Sequence, residues 1–248
     1  MNVKLNEDER IDDLEYKNLK IIQKKDGFKF GIDSVLLTGF AKKMKAGSTV
    51  VDLGSGTGVI SLLLSKKTKA KKIYAVEIQD TIAEIAKRNV QMNDIENIEV
   101  LNIDLKNISS KIKKESMDIV VTNPPYKKLN SGLLSDDEVN LISRHEYKCN
   151  LEDVIKCAKY LLKDKGELYM VHRAERLVDI MSLMREYKIE PKIVRFVSSK
   201  VGEKPTMILV KGVKNANEFL KIEDPLYIYN EDGTYTDEIY DIYEKEKK

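Results

Sequence analysis

Cysteine and histidine are scarce in this sequence: Cys149, Cys157, His145 and His172 are the whole supply. No CxxC or HxxxH pairing joins them, so no structural zinc site and no catalytic metal are expected. So few thiols also argue against a disulfide framework, and both read as ordinary reduced cysteines. Tryptophan is absent, and the five prolines form no linker-like run at which the chain would divide. Long apolar runs are missing too. The longest stretch without a charge lies between Asp52 and Lys66 and includes three glycines. It falls well short of the roughly 20 apolar residues that cross a bilayer. Near the N-terminus, Glu7, Asp8 and Glu9 stand where a secretory leader would carry bases and then an apolar run. These absences predict a cytoplasmic protein.

What is present suits a folded domain. The 248 residues are 42% hydrophobic and 34% charged, enough for one substantial α/β core. The net charge of +2 is unevenly spread: residues 1–15 carry −4, residues 223–248 carry −6, and the body between them carries +12. A basic body with acidic ends suits contact with a phosphate backbone. Lysine runs such as Lys66–Lys72 are equally the solvated ends of helices.

Short β-rich runs alternate with helical patterns. Strands are predicted at Thr49–Leu53, Lys72–Ile78, Ile98–Asn102, Met117–Thr122, Glu167–Val171, Lys192–Val197 and Thr206–Lys211. Helices are predicted at Ile32–Ala41, Gly58–Lys66, Thr81–Met92, Leu151–Leu162 (N-capped by Asn150) and Arg173–Tyr187. The alternation predicts an α/β, Rossmann-like fold: a doubly wound, mostly parallel, seven-stranded sheet ending in an antiparallel hairpin. Upstream, Asp26-Gly27 between Leu19–Gln23 and Phe28–Phe30 signals a second hairpin. The expected organisation is a small hairpin-and-helix cap at 1–45, the core at 46–215, and an acidic C-terminal extension at 216–248.

Val50-Val51-Asp52-Leu53-Gly54-Ser55-Gly56-Thr57-Gly58 joins the first core strand to the next helix. Glycines at alternate positions let the backbone turn tightly and approach a ligand closely, although a plain strand-to-helix turn uses glycine as well. Three acids sharpen the reading. Asp52 stands just before the loop, where a cationic ligand end could meet it. Glu77 ends the next strand, suited to ribose hydroxyls. Asp104 follows the third strand, suited to an adenine amino group, with Ile78 and Leu105 packing the ring. Glycine loop and acids together point to an adenosine-bearing cofactor.

Asn123-Pro124-Pro125-Tyr126 follows the fourth strand. Two prolines preset the backbone and remove two N–H groups, so the corner cannot close on itself there. The Asn123 side-chain oxygen and the Pro124 carbonyl can then accept both protons of a planar NH₂, and the Tyr126 ring can stack on the conjugated system behind it. Such a grip orients the delocalised lone pair of an amine like adenine N6 and stabilises the positive charge that grows on nitrogen during transfer.

With both motifs in place, the chain resembles the amino-methylating class I S-adenosylmethionine-dependent methyltransferases that carry an NPPY tetrapeptide. Within that group it is most similar to bacterial tRNA (adenine-N6) methyltransferases that act in the anticodon loop of valine tRNA. The resemblance extends to Phe28-Lys29-Phe30-Gly31-Ile32-Asp33-Ser34-Val35-Leu36-Leu37 and to His172-Arg173-Ala174-Glu175-Arg176-Leu177. It implies S-adenosylmethionine as cofactor without a metal, an RNA partner, and additional site residues. Gly31 and Asp33 join Asp52, Gly54, Ser55, Gly56, Gly58, Glu77, Ile78, Asp104, Leu105 and Asn123 on the cofactor side. Lys127, Lys128, Arg144, Arg173 and Arg176 become RNA-contact candidates. Asn123, Pro124, Pro125 and Tyr126 are the catalytic group.

Alternatives remain at this stage. Glutamine methylation in a release factor also uses this tetrapeptide, but such enzymes place a helical domain ahead of the core, and here Asp52 comes too early. DNA adenine methylation normally needs a long target-recognition insertion, and an rRNA acceptor stays open. A protein that binds cofactor and RNA without turnover is the non-enzymatic alternative. His145 and His172 are read as structural rather than catalytic.

Overall fold

The computed structural model describes residues 3–26, 30–124 and 149–246. Its main sheet contains strands β3 (Thr49–Leu53), β4 (Lys72–Glu77), β5 (Ile98–Asn102), β6 (Met117–Thr122), β7 (Leu162–Arg173), β8 (Ile189–Ser198), β9 (Met207–Lys214) and β10 (Lys221–Tyr227). Their spatial order is β10-β8-β9-β7-β6-β3-β4-β5. β9 alone runs antiparallel to its two neighbours; the other pairings in this sheet are parallel. The chain winds outward from β3 through β4 to β5, then returns across β3 to start β6. β3 and β6 are therefore the switch point, where open α/β sheets bind ligands.

Both sheet faces are buried, which is why the strands read as near-continuous apolar runs. Val50, Ile73, Ala75, Ile119, Val121 and Tyr169 face one core, under α1 (Ile32–Ala41) and α2 (Val59–Lys67). Val51, Leu53, Val76, Val120, Leu168 and Met170 face the other, under α4 (Leu151–Leu161) and α5 (Leu177–Glu186). The alternation has the period of two that a strand imposes. Between α2 and α4 in the chain, α3 (Asp80–Met92) packs beside β5. Asn150 closes a capping box with Asp153 and so fixes the start of α4.

Three sequence expectations need correction. The sheet has eight strands rather than seven. β10 escaped notice because its acids and Pro225 do not read as a strand, yet an edge position tolerates both, and its register shifts between Glu223 and Leu226, where the proline sits. The upstream hairpin uses a different partner. β2 (Lys20–Lys24) pairs antiparallel with β1 (Glu9–Asp13), before it in the chain, while residues 27–29 lie outside the described residues. Four of the five residues of β1 are charged, so no apolar pattern betrays it. Finally, Arg173 ends β7, and a short 3₁₀ turn at Ala174–Arg176 precedes α5, so the helix starts later than its periodicity suggested.

The C-terminal residues fold back onto α1. Helix α6 (Asp237–Tyr243) sets Ile242 against Gly39, where a Cβ would sit 2.9 Å from the isoleucine side chain. Lys67 donates to the Ile242 carbonyl at 2.5 Å and lies 4.6 Å above the Tyr16 ring. Tyr235 stacks on both Tyr229 and Tyr243.

Candidate active site

The turn after β3 is built by backbone geometry that only glycine adopts without strain. Gly54, Gly56 and Gly58 have φ of 72°, 54° and 91°. The N–H groups of Gly54 and Ser55 donate to the Val76 carbonyl at 3.0 and 2.9 Å, tying the loop to the end of β4. A Cβ at Gly54 or Gly56 would meet nothing within 4 Å, so the loop presents bare backbone to open space.

Around this loop stand the acids. Asp52 is fully buried; its Oδ2 accepts from Ser61 Oγ at 2.8 Å, and its Oδ1 has no partner among the described residues. Burial pushes its carboxyl up to about 7, the Ser61 hydrogen bonds oppose the shift, and Glu77 adds a small push upward. Glu77 spends one oxygen on the Gly56 N–H at 3.0 Å and the other on the Gln79 N–H at 2.9 Å, so it shapes the loop. Asp104 caps the 3₁₀ turn Leu105–Ser110 by accepting from the Lys106 N–H; Leu105 is buried and Ile78 half-buried. The three acids thus sit at the carboxyl ends of adjacent strands β3, β4 and β5.

At the end of β6, Asn123 is half-buried and Pro124 buried. The Asn123 Nδ2 donates to Asp33 Oδ2 at 3.0 Å and lies 3.5 Å from Ser34 Oγ. A carboxylate only accepts, so Asp33 fixes the amide with its NH₂ toward α1 and its oxygen on the opposite side. Gly31 makes this possible: a Cβ there would stand 2.9 Å from Asp33 Oδ1. Pro125, Tyr126, Lys127, Lys128 and Arg144 lie outside the described residues.

Beyond Pro124, on the α4–α5 side, lies a cleft of about 410 Å³ lined by Asn150, Leu151, His172, Arg176 and Asp179. Arg173, next to His172 in the chain, is exposed, and Arg176 is ion-paired to Asp179 at 2.7 Å. Burial, with Arg176 and Arg173 adding to it, holds His172 down to about 4, so its ring is neutral at physiological pH. Its Nδ1 accepts from the Arg173 N–H at 2.8 Å, which leaves the proton on Nε2. A ring of such low basicity is a poor general base.

S-adenosylmethionine would bring a cationic amine, a ribose and an adenine to this site. A cationic amine would satisfy the orphaned Asp52 Oδ1, and the buried Ser55 Oγ is a second polar atom without a partner among the described residues. The bare glycine backbone gives close approach, and Glu77 and Asp104 offer acceptors for ribose and base. The residues fit. Sequence reasoning missed Ser61, which holds Asp52, and Asn89, which reaches the loop from α3; polar residues on amphipathic helices give little signal of this kind. Among the described residues, no group of three or more His, Cys, Asp and Glu side chains could hold a metal ion, and no helix is long and apolar enough to cross a membrane.

A winding of this order, with one antiparallel strand near its edge and a glycine loop after the first core strand, defines the class I S-adenosylmethionine-dependent methyltransferase architecture. Residues 29–189 match the family model described as "Methyltransferase small domain", and the chain belongs to that family. Among curated relatives, it is 28% identical over 231 residues to a tRNA1(Val) (adenine(37)-N6)-methyltransferase of Porphyromonas gingivalis, covering 90% of each chain. The enzyme of the same name from Flavobacterium johnsoniae is 26% identical, with 92% of this chain and 96% of that one covered. A predicted O-methyltransferase from Agrobacterium tumefaciens superposes with a TM-score of 0.69 at 20% identity, over 86% of this chain and 95% of that one. TYW2 from M. jannaschii, solved in complex with AdoMet, gives 0.57 at 15% identity, over 85% and 88%. These two likenesses speak for the fold alone. The protein is a S-adenosylmethionine-dependent methyltransferase.

Proposed function

We propose that this enzyme methylates N6 of an adenine in the anticodon loop of a tRNA; in support, its relatives are named tRNA1(Val) (adenine(37)-N6)-methyltransferases. The observation that carries the chemistry is the Asn123–Asp33 hydrogen bond at the switch point, opposite Asp52 and the glycine loop. It locks the amide so that Oδ1 serves as an acceptor beside the Pro124 carbonyl. Two acceptors for one NH₂ match adenine N6, whose lone pair is useful only when both protons are held in place.

The cofactor supplies an electrophilic methyl group on a sulfonium sulfur. Everything else falls to the protein. Asp52 and the loop would hold the amino-acid end, and Glu77 and Asp104 the nucleoside. Asn123 Oδ1 and the Pro124 carbonyl would hold the acceptor amine and stabilise the charge that develops on it. No strong base is needed, because the N–H becomes acidic once nitrogen is alkylated, and neutral His172 is not required to act as one. Tyr126 would stack on the base. Arg173, Arg176, Lys127, Lys128 and Arg144 would meet the phosphates, and an anticodon loop already exposes unpaired bases to a compact enzyme.

The test is transfer of labelled methyl to transcribed valine tRNA, followed by nucleoside mass spectrometry. N6-methyladenosine at the anticodon-loop adenine is expected. Label appearing in a release-factor glutamine or in DNA, with none in tRNA, would overturn the assignment.

A further inference from the structure

Asn89 of α3 and Asn93, which caps the end of that helix, take the place of a strand beside β2. Only β1 pairs with β2 among the described residues, and the outer edge of β2 is read by side chains instead. Asn93 Oδ1 accepts from the Lys20 N–H at 2.9 Å while its Nδ2 donates to the Lys20 carbonyl at 2.7 Å. Asn89 Oδ1 accepts from the Ile22 N–H at 2.6 Å while its Nδ2 donates to the Ile22 carbonyl at 3.2 Å. The geometry follows from two repeats. Four residues of helix advance about 6.0 Å, and two residues of strand advance about 6.8 Å, so Asn89 and Asn93 meet Ile22 and Lys20 in register. Next to them, Arg88 grips buried Glu9 of β1 at 2.6 and 2.7 Å, and that ion pair holds the Glu9 carboxyl down to about 2.

Asn89 makes one contact that Asn93 does not. Its second Nδ2 hydrogen goes to the Thr57 carbonyl at 2.9 Å, inside the glycine loop. Asn89 is fully buried, and these three bonds use its oxygen and both amide hydrogens. One side chain therefore joins the upstream hairpin to the segment that carries Gly56 and Gly58. On its far side the same hairpin steers α1: buried Gln23 accepts from the Phe30 N–H at 3.0 Å, three residues ahead of Asp33.

We infer that Asn89 is a positioning residue for the cofactor: it holds the Thr57 carbonyl, and with it the open conformation of the glycine loop, and couples that loop to the β1–β2 hairpin. The inference rests on the glycine loop being the cofactor site and is independent of which acceptor is methylated. A loop freed at Thr57 must be reordered each time the cofactor binds, and that ordering is subtracted from affinity.

The experiment compares Asn89→Ala with Asn93→Ala, measuring melting temperature and calorimetric affinity for S-adenosylhomocysteine. Both variants lose hairpin contacts, so both should melt lower. Only Asn89→Ala should bind the ligand more weakly, by about tenfold, the loss expected of one buried hydrogen bond. Asn93→Ala should stay within about twofold, since it leaves that bond intact. Equal affinity for the two variants overturns the inference. A second measurement needs no variant: by reciprocity, ligand binding at the loop should slow hydrogen exchange in residues 20–24 of the natural protein. Unchanged exchange there also overturns it. Failure of the natural protein to bind S-adenosylhomocysteine at all would instead indict the cofactor site itself.

Discussion

Asp52→Asn separates what the buried carboxyl costs the fold from what it does for the cofactor. The carboxyl is fully buried with one unpaired oxygen, and its pKa rises from 3.8 to about 7. In the unfolded chain it would titrate near its ordinary value, so the native state binds more protons between pH 4 and 7. Stability is therefore fully present below about pH 4, falls as pH rises toward 7, and is level above that. At about 1.36 kcal/mol per pH unit, the ceiling on the loss is about 4 kcal/mol. An asparagine amide can donate to Ser61 Oγ in place of the carboxylate contact, at about 1–2 kcal/mol for poorer pairing. The net gain at pH 8 is then about 2 kcal/mol, or roughly 4–8 °C in melting temperature for a chain of this size. At pH 4 the variant should be no more stable than the parent. Thermal melts from pH 4 to 8 measure this directly, and repeating them with S-adenosylmethionine should show a smaller ligand-induced rise in the variant. A stability difference that stays flat between pH 5 and 8 would refute the buried-carboxyl reasoning. An undiminished ligand effect would refute Asp52 as partner of the cationic end.

Asn123→Ala should lower kcat by about 10²–10³ while leaving cofactor affinity within a few-fold, since it removes a contact made to the developing charge; single-turnover kinetics with calorimetry separate the two. Asp33→Ala should lower kcat by about tenfold, the scale of one lost orienting hydrogen bond, because Asn123 keeps its oxygen but loses the anchor that aims it. Gly39→Val should cost about 1–3 kcal/mol by forcing Ile242 away from α1, read as a lower denaturant midpoint with unchanged activity in the folded fraction. Arg173→Ala should reduce the salt slope of tRNA binding by about one phosphate contact, and an unaltered slope would remove Arg173 from the interface.

Much of this molecule was legible from residue order because its core obeys simple repeats. Thr49–Leu53 and Met117–Thr122 are apolar on both faces, as buried parallel strands must be, and the observed strands match those runs. The glycine loop was equally plain, since alternating glycines before a helix have few other uses. The elements that stayed hidden are stabilised by partners far along the chain. β1 is held by the Glu9–Arg88 pair and by register with β2, neither of which has a local signature. β10 is an edge strand whose charges face solvent, so no alternation marks it. At the site, Asp33 and Asn123 are 90 positions apart, and nothing in either neighbourhood announces their hydrogen bond. Ser61 and Asn89 were invisible for the same reason: a polar residue on a helix shows its purpose only once the strand or loop beside it is known.

The seat of α6 on α1 bears on how the polypeptide acquires its shape. Lys67, which ends α2, donates to Ile242 of α6 across 175 positions of chain. Helix α1 packs on α2 and β7, but its Gly39 face stays uncovered until α6 has been made. Closing that face thus waits on a very distant pairing, of the kind that slows folding most. A slow last phase in refolding, appearing together with burial of the Tyr235–Tyr243 stack, is what that dependence would look like in time.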